Sequence, residues 1–271
     1  MLDFLRALAL GIVQALTEFL PISSSAHLLL VRDWIGLDSV DGLTFDVALH
    51  VGTLVAIVVY FEKDLRSLFA GWKESFSMPR ARWEHRHRLA WYILAATIPA
   101  MVVGAVLEGA MLNVLRTPSV AVVTLVLGGI LFLVFERVSK KSQSIEDLNL
   151  AGCLLIGCAQ AVALIPGVSR SGIAILAGLS LKLTRAEAAK FAFLLGAPIL
   201  VVAGTKDSID AWGEALSAHQ IGVFAVGMLA SAVFGWFSIR YLLRFLNKHG
   251  LGVFAYYRFV LAGVVLVTMI L

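Results

Sequence analysis

At 271 residues the chain is 60% hydrophobic and only 15% charged, with a mean hydropathy of +0.91. So apolar a composition excludes a soluble globular domain and makes lipid the solvent. The net charge of +4 and pI near 9.2 do not argue for nucleic acid, because the basic residues cluster where they set orientation across a membrane.

In the first 44 residues an apolar run from Ala7 to Leu16 leads into Glu18, Pro21, the consecutive Ser23, Ser24 and Ser25, and His27. The run ahead of Ser24-Ser25-Ala26 imitates a signal peptide, but Asp3 and Arg6 leave its leading residues without net positive charge, so the segment is expected to stay. A charged side chain near the bilayer centre costs roughly 2.5 to 3.5 kcal/mol on insertion scales, so Glu18 needs a compensating partner.

Apolar stretches then follow at about 45–61, 90–107, 118–135, 188–204, 219–239 and 253–271, each near the ~20 residues of a spanning helix. The loops between them sort by charge. One set holds Lys63, Arg66, Lys73, Arg80, Arg82, Arg86, Arg88, Arg137, Lys140, Lys141, Lys182, Arg185, Lys190, Arg240, Arg244 and Lys248; the other holds Arg6, Arg32, Arg116 and Lys206. The rich set marks the cytoplasmic side. Within it, the loop from Glu62 to Arg88 interleaves cations with Trp72, Phe76 and Trp83, as suits either an interfacial helix on anionic lipid or a solvated loop.

This orientation makes residues 150–187 enter and leave by one face. Limbs of about 14 to 16 residues reach roughly 21 to 24 Å as helix, short of the ~30 Å hydrocarbon core. A re-entrant hairpin bent at Pro166 is therefore expected, and a second over residues 1–44, bent at Pro21, dipping from the outer face. Gly11, Gln14, Ala15 and Pro21 match Gly157, Gln160, Ala161 and Pro166 with one residue deleted; Phe45 matches Phe191, and residues 126–134 resemble 260–268. The expected fold is all-α integral membrane, with six transmembrane helices plus two re-entrant helical hairpins in an inverted-topology repeat. It forms a single polytopic domain over residues 1–271: repeat 1 at about 1–135, a cytoplasmic loop at 136–149 and repeat 2 at about 150–271. Cys153 and Cys158 have no ligand-spaced neighbours and are expected to be packing residues.

Non-helical backbone at membrane depth has to line a polar pocket or be buried in protein. Gln14 and Glu18, four apart, share a helix face. Ser23, Ser24 and Ser25 after Pro21, and Ser169, Arg170 and Ser171 after Pro166-Gly167, place hydroxyls, free N–H groups and a guanidinium at two helix N-termini, an arrangement suited to phosphate or diphosphate. The plainer readings are a structural Glu18–Arg170 ion pair, serines that only cap helices, and a His27 that only bonds between helices.

These residues resemble the bacitracin-resistance type undecaprenyl-diphosphate phosphatases over essentially the whole chain. The family's first motif, Glu or Gln, three residues, then Glu, is met by Gln14 and Glu18 and continues through Phe19-Leu20-Pro21 to Ser23, Ser24 and His27. The second, Pro-Gly-x-Ser-Arg-Ser with a threonine three residues on, is met by Pro166 to Ser171. Ala174 replaces that threonine, and Ser25-Ala26 stands where relatives often carry Thr-Gly or Ser-Gly. The resemblance implies hydrolysis of undecaprenyl diphosphate to the monophosphate at the outer face of a bacterial inner membrane, recycling the carrier for cell-wall synthesis. Arg170 and the tip serines, with Gly167, would hold the diphosphate. Ser24 is then the expected nucleophile with Glu18 or His27 as base; alternatively Glu18 and Gln14 hold Mg²⁺ or Ca²⁺ and water attacks. A competing function is a lipid-phosphate flippase using the same inverted-repeat pocket.

Overall fold

The computed structural model describes residues 1–35, 42–110, 115, 117–210 and 217–270. Arg116 and the side chains of Arg32 and Lys206 lie outside what is described, so the sparse side of the charge count is represented there by Arg6. Every long element is helical: α1 (Leu2–Phe19), α2 (Ser24–Ile35), α3 (Gly42–Tyr60), α4 (Glu62–Glu74), α5 (His85–Ala110), α6 (Pro118–Val138), α7 (Leu150–Val162), α8 (Arg170–Ser180), α9 (Arg185–Asp210), α10 (Ala218–Leu246) and α11 (Gly252–Ile270). Among the described residues five helices, α5, α6, α9, α10 and α11, are long and apolar enough to cross a membrane. The sixth apolar stretch is α3, which meets α4 at a bend of 81°. Of the helices that fall where the sequence predicts hairpin limbs, α7 and α8 are short and apolar and α2 has 12 residues, whereas α1 has 18, longer than the predicted limb.

Local chemistry explains where helices stop. Pro21 pushes the residue before it out of the helical region, and Leu20 is extended with ψ 139°. Pro118 opens α6 behind Thr117, whose side chain accepts from the Val120 N–H. Ser217 and Gln220 form a reciprocal capping box at the start of α10.

The short helices pack across the chain's two halves. α1 lies on α10 and α7 on α5, while α3 packs on α9, α9 on α5, α3 on α10, and α6 on α11. Gly11 and Gly157, matched in the sequence, occupy matching contacts: a Cβ on Gly11 would collide with the Gly227 carbonyl, and one on Gly157 with the Ala96 carbonyl. Glycine is what lets each pair of backbones approach. Phe19, Phe132, Ile156, Ile175 and Phe191 are buried in the main core, while Val106, Val260 and Phe237 face outward, as lipid-facing positions do.

Glu136 at the end of α6 accepts from Arg185 and from the Leu251 N–H, and the strand-like contact of Gln143 with Leu183 pins the 136–149 loop to the α8–α9 connection. α4 leaves α3 at that bend with Phe69 and Phe76 exposed and Lys73 over the Phe69 ring. One expectation needs correcting: Cys153 is buried in the core, but Cys158 is exposed on α7 and packs nothing internal.

Candidate functional site

Both helix restarts are built the same way. Ser23 (φ 75°) and Ser169 (φ 71°) each adopt the left-handed region immediately before α2 and α8 begin. Such a conformation is costly for a residue with a Cβ and persists where the surroundings impose it, often at functional sites. In each tip the strained serine bonds the serine two positions on: Ser23 Oγ to Ser25 Oγ at 3.1 Å, and Ser169 Oγ to Ser171 Oγ at 3.3 Å. Ser169 also caps α8 by accepting from the Gly172 N–H. The tips touch where the Gly167 N–H donates to Ser25 Oγ at 3.2 Å.

Glu18 sits where they meet. One carboxylate oxygen, Oε1, accepts from Arg170 Nη2 at 2.5 Å, and the other, Oε2, accepts from Ser24 Oγ at 2.6 Å and from Gln14 Nε2 at 3.3 Å. Arg170 also donates to the Gly196 carbonyl of α9. Acid and cation, 152 positions apart, thus form one unit with the serine. Glu18 is 6% exposed and Arg170 19% at the side chain, a pair largely withdrawn from solvent but open on the cation's side. Ser24 is half-buried and Ser25 exposed; Ser23, Ser169 and Ser171 are buried.

His27 is placed differently. Its Nδ1 lies 2.7 Å from the Ser23 carbonyl, which only an N–H can satisfy, so Nε2 takes the Tyr257 hydroxyl at 2.7 Å. The rings of His27 and Tyr257 stack. Both imidazole nitrogens are therefore occupied by groups other than Ser24. His27 and Tyr257 line an apolar groove of about 440 Å³ together with Leu16, Leu20, Val31, Phe245 and Phe254.

Two residues of the site escaped the sequence reading. Arg258 of α11 is fully buried and spends its guanidinium on backbone carbonyls: Pro21 from the first tip, Gly167 and Val168 from the second, and Thr124 and Leu125 from α6. It ties the two tips to each other. His50 of α3 brings Nε2 to 3.8 Å from Glu18 Oε2. An isolated cation or imidazole inside an apolar stretch was the available signal, the same one that marks Arg170.

The donors also bear on a cation. Gln14 Oε1 is buried with no hydrogen-bond partner. A hard cation would find that oxygen beside Glu18, with the remaining ligands drawn from diphosphate oxygens and water.

A family model described as "Bacitracin resistance protein BacA" matches residues 7–264. The chain belongs to that family. It is 47% identical to the undecaprenyl-diphosphatase of Rubrobacter xylanophilus over the full length of both chains. It is 41% identical to those of Teredinibacter turnerae, with 98% of each chain covered, and Saccharophagus degradans, with 97% of each covered.

Proposed function

We infer that this protein is an undecaprenyl-diphosphate phosphatase of the bacterial inner membrane, cleaving undecaprenyl diphosphate to undecaprenyl phosphate and phosphate. It thereby recycles the lipid carrier for peptidoglycan synthesis and counters bacitracin. Family membership over the whole chain supports the reaction. One observation carries the site assignment: Glu18 joins Ser24 to Arg170 across the two tips.

In this reading the chain is one polytopic domain made of two inverted repeats, about 1–135 and 150–271, joined by a cytoplasmic loop at 136–149. The matched packing of α1 on α10 and α7 on α5, and of Gly11 and Gly157, supports it. The α1–α2 and α7–α8 hairpins dip from opposite faces, and the pocket opens outward, away from the basic loops.

Ser24 Oγ attacks the terminal phosphorus, giving its proton to Glu18 Oε2, already 2.6 Å away. The bond from that phosphorus to the bridging oxygen breaks, its electron pair leaving with the lipid monophosphate. Water then cleaves the phosphoserine, and the proton held by Glu18 returns to Ser24. Arg170, Ser25 and the N–H groups of α2 and α8 neutralise the transferred phosphoryl. Ser23, Ser169, Ser171 and Gly167 act by shaping the tips. His27, with both nitrogens engaged, positions the Ser23 backbone and the wall of the apolar groove, which takes the first isoprene units. A divalent cation, if used, is held by Glu18 and Gln14 and supplies charge neutralisation.

Rapid-quench mass analysis during turnover tests this. Phosphate on Ser24, and a loss of about 10³-fold or more in Ser24→Ala, are expected. Activity of Ser24→Ala within tenfold of wild type would hand the attack to water.

A further inference from the structure

We propose that the basic end of α10 holds an anionic glycerophospholipid of the surrounding bilayer, its phosphate on Arg244 and Lys248 and one acyl chain entering the apolar groove. A pocket of about 580 Å³ opens there, lined by Tyr241, Arg244, Phe245, Asn247, Lys248 and His249. Tyr241 and Phe245 also line the groove that His27 and Tyr257 border, so the two spaces share a wall. A charged recess thus adjoins an apolar channel, the division of a lipid into headgroup and chain.

The last turns of α10 produce this division by spacing. Arg240, Arg244 and Lys248 recur four apart, and Tyr241, Phe245 and His249 do the same one position on. Residues four apart lie above one another on a helix, so the two sets form neighbouring stripes. α10 ends at Leu246, but the N–H groups of Lys248 and His249 both donate to the Phe245 carbonyl and keep the following turn wound. The aromatic stripe is a stack, with ring centroids 5.9 Å apart from Tyr241 to Phe245 and 4.5 Å from Phe245 to His249. In the basic stripe Arg240 lies over the Trp236 ring, which leaves Arg244 and Lys248 to the pocket.

Charge complementarity selects the occupant. Lys141 and Arg185 are neutralised by Glu136, and Lys190 by Asp64. Among the described residues neither Arg244 nor Lys248 has a carboxylate at ion-pair distance. Glu136 approaches Gly250 from α6 but is already engaged by Arg185, Lys141 and the Leu251 N–H. Cations at a helix C-terminus also offset its dipole, a role that needs no groove beside them. Basic pockets at the cytoplasmic ends of membrane helices attract anionic headgroups, and the charge distribution assigns this end of α10 to that leaflet. A free phosphate would leave the aromatic wall uncovered, and a zwitterionic lipid would bring its own cation against Arg244 and Lys248. The acyl chain takes the α10 end of the groove, beside Tyr241 and Phe245, and the isoprene units the His27 end. This site stands apart from the reaction given above, and its occupancy is read without turnover.

The test titrates the delipidated full chain in detergent with phosphatidylglycerol, phosphatidylcholine of the same acyl chains, undecaprenyl phosphate or glycerol phosphate, with bound ligand read by native mass spectrometry. Phosphatidylglycerol should bind about tenfold or more tightly than phosphatidylcholine. Arg244→Gln/Lys248→Gln should weaken it about thirtyfold, as the loss of two cations beside an anionic headgroup predicts. The charge-keeping Arg244→Lys/Lys248→Arg should stay within about threefold of wild type. Arg80→Gln/Arg82→Gln, which removes two exposed cations elsewhere on the basic side, should bind as wild type does. Phosphatidylglycerol carrying a diazirine in one acyl chain should label Tyr241, Phe245 or Phe254 on irradiation. Equal binding of the two phospholipids, or an equal loss in the Arg80 and Arg82 variant, overturns the proposal. Labels confined to other helices overturn the placement of the chain. Glycerol phosphate binding as tightly as phosphatidylglycerol would make this a site for a free anion. Undecaprenyl phosphate binding more tightly, and lost in the same variant, would give the pocket to the product lipid; either result overturns the occupant named here.

Discussion

Glu18 and Arg170 allow a structural ion pair to be separated from a catalytic one. Arg170→Ala strands the Glu18 carboxylate in a pocket where it is 6% exposed. Removing one partner of a buried pair costs roughly 3 to 5 kcal/mol. Since the Arg170 side chain remains 19% exposed, the lower end applies, about 3 kcal/mol, or a fall of about 6 °C or more in Tm. Glu18→Gln in the same chain removes the stranded charge and keeps the shape, so the double variant should regain most of that Tm. Its activity should not return, because a transition-state cation and a base are both gone; loss of a preorganised charge contact alone is worth about 10²- to 10³-fold. The assay is thermal unfolding in detergent beside phosphate release for the four members of the cycle. If activity recovers along with stability in the double variant, the pair is a structural staple and the catalytic reading is wrong. Equally, Tm losses that simply add would show that the two side chains do not share one desolvated contact.

Two further outcomes follow from residues around that pair. Arg258→Lys keeps the charge but not the fork, orphaning at least two of the carbonyls of Pro21, Gly167 and Val168 at about 1 to 3 kcal/mol each. Both Tm and kcat should fall, kcat by about tenfold or more, and a full kcat at lowered Tm would show that the tips hold their register without it. In the apolar groove, Val31→Trp fills space beside Leu20 and Tyr257. It should raise KM several-fold for undecaprenyl and farnesyl diphosphate alike with kcat nearly unchanged, since both carry the first isoprene units; an unchanged KM would place the tail elsewhere.

Hydropathy length and loop charge are properties of neighbouring residues, so the amino-acid order alone located the helices that, among the described residues, are long enough to span, and predicted breaks at Pro21 and Pro166. The same local logic singled out Glu18 and Arg170, since a charge within an apolar run needs a partner wherever the run ends up. It did not assign the base, because both Glu18 and His27 lie within six positions of Ser24 along the chain. Only the packed structure gives Glu18 to Ser24 and engages both nitrogens of His27 with Ser23 and Tyr257. The recruitment of His50 from α3 and Arg258 from α11 is likewise a tertiary outcome. Those contacts depend on how closely α1 sits on α10 and α7 on α5, which Gly11 and Gly157 set by omitting a side chain. A hydrogen bond reaches about 3 Å, and that register is fixed by packing between distant segments.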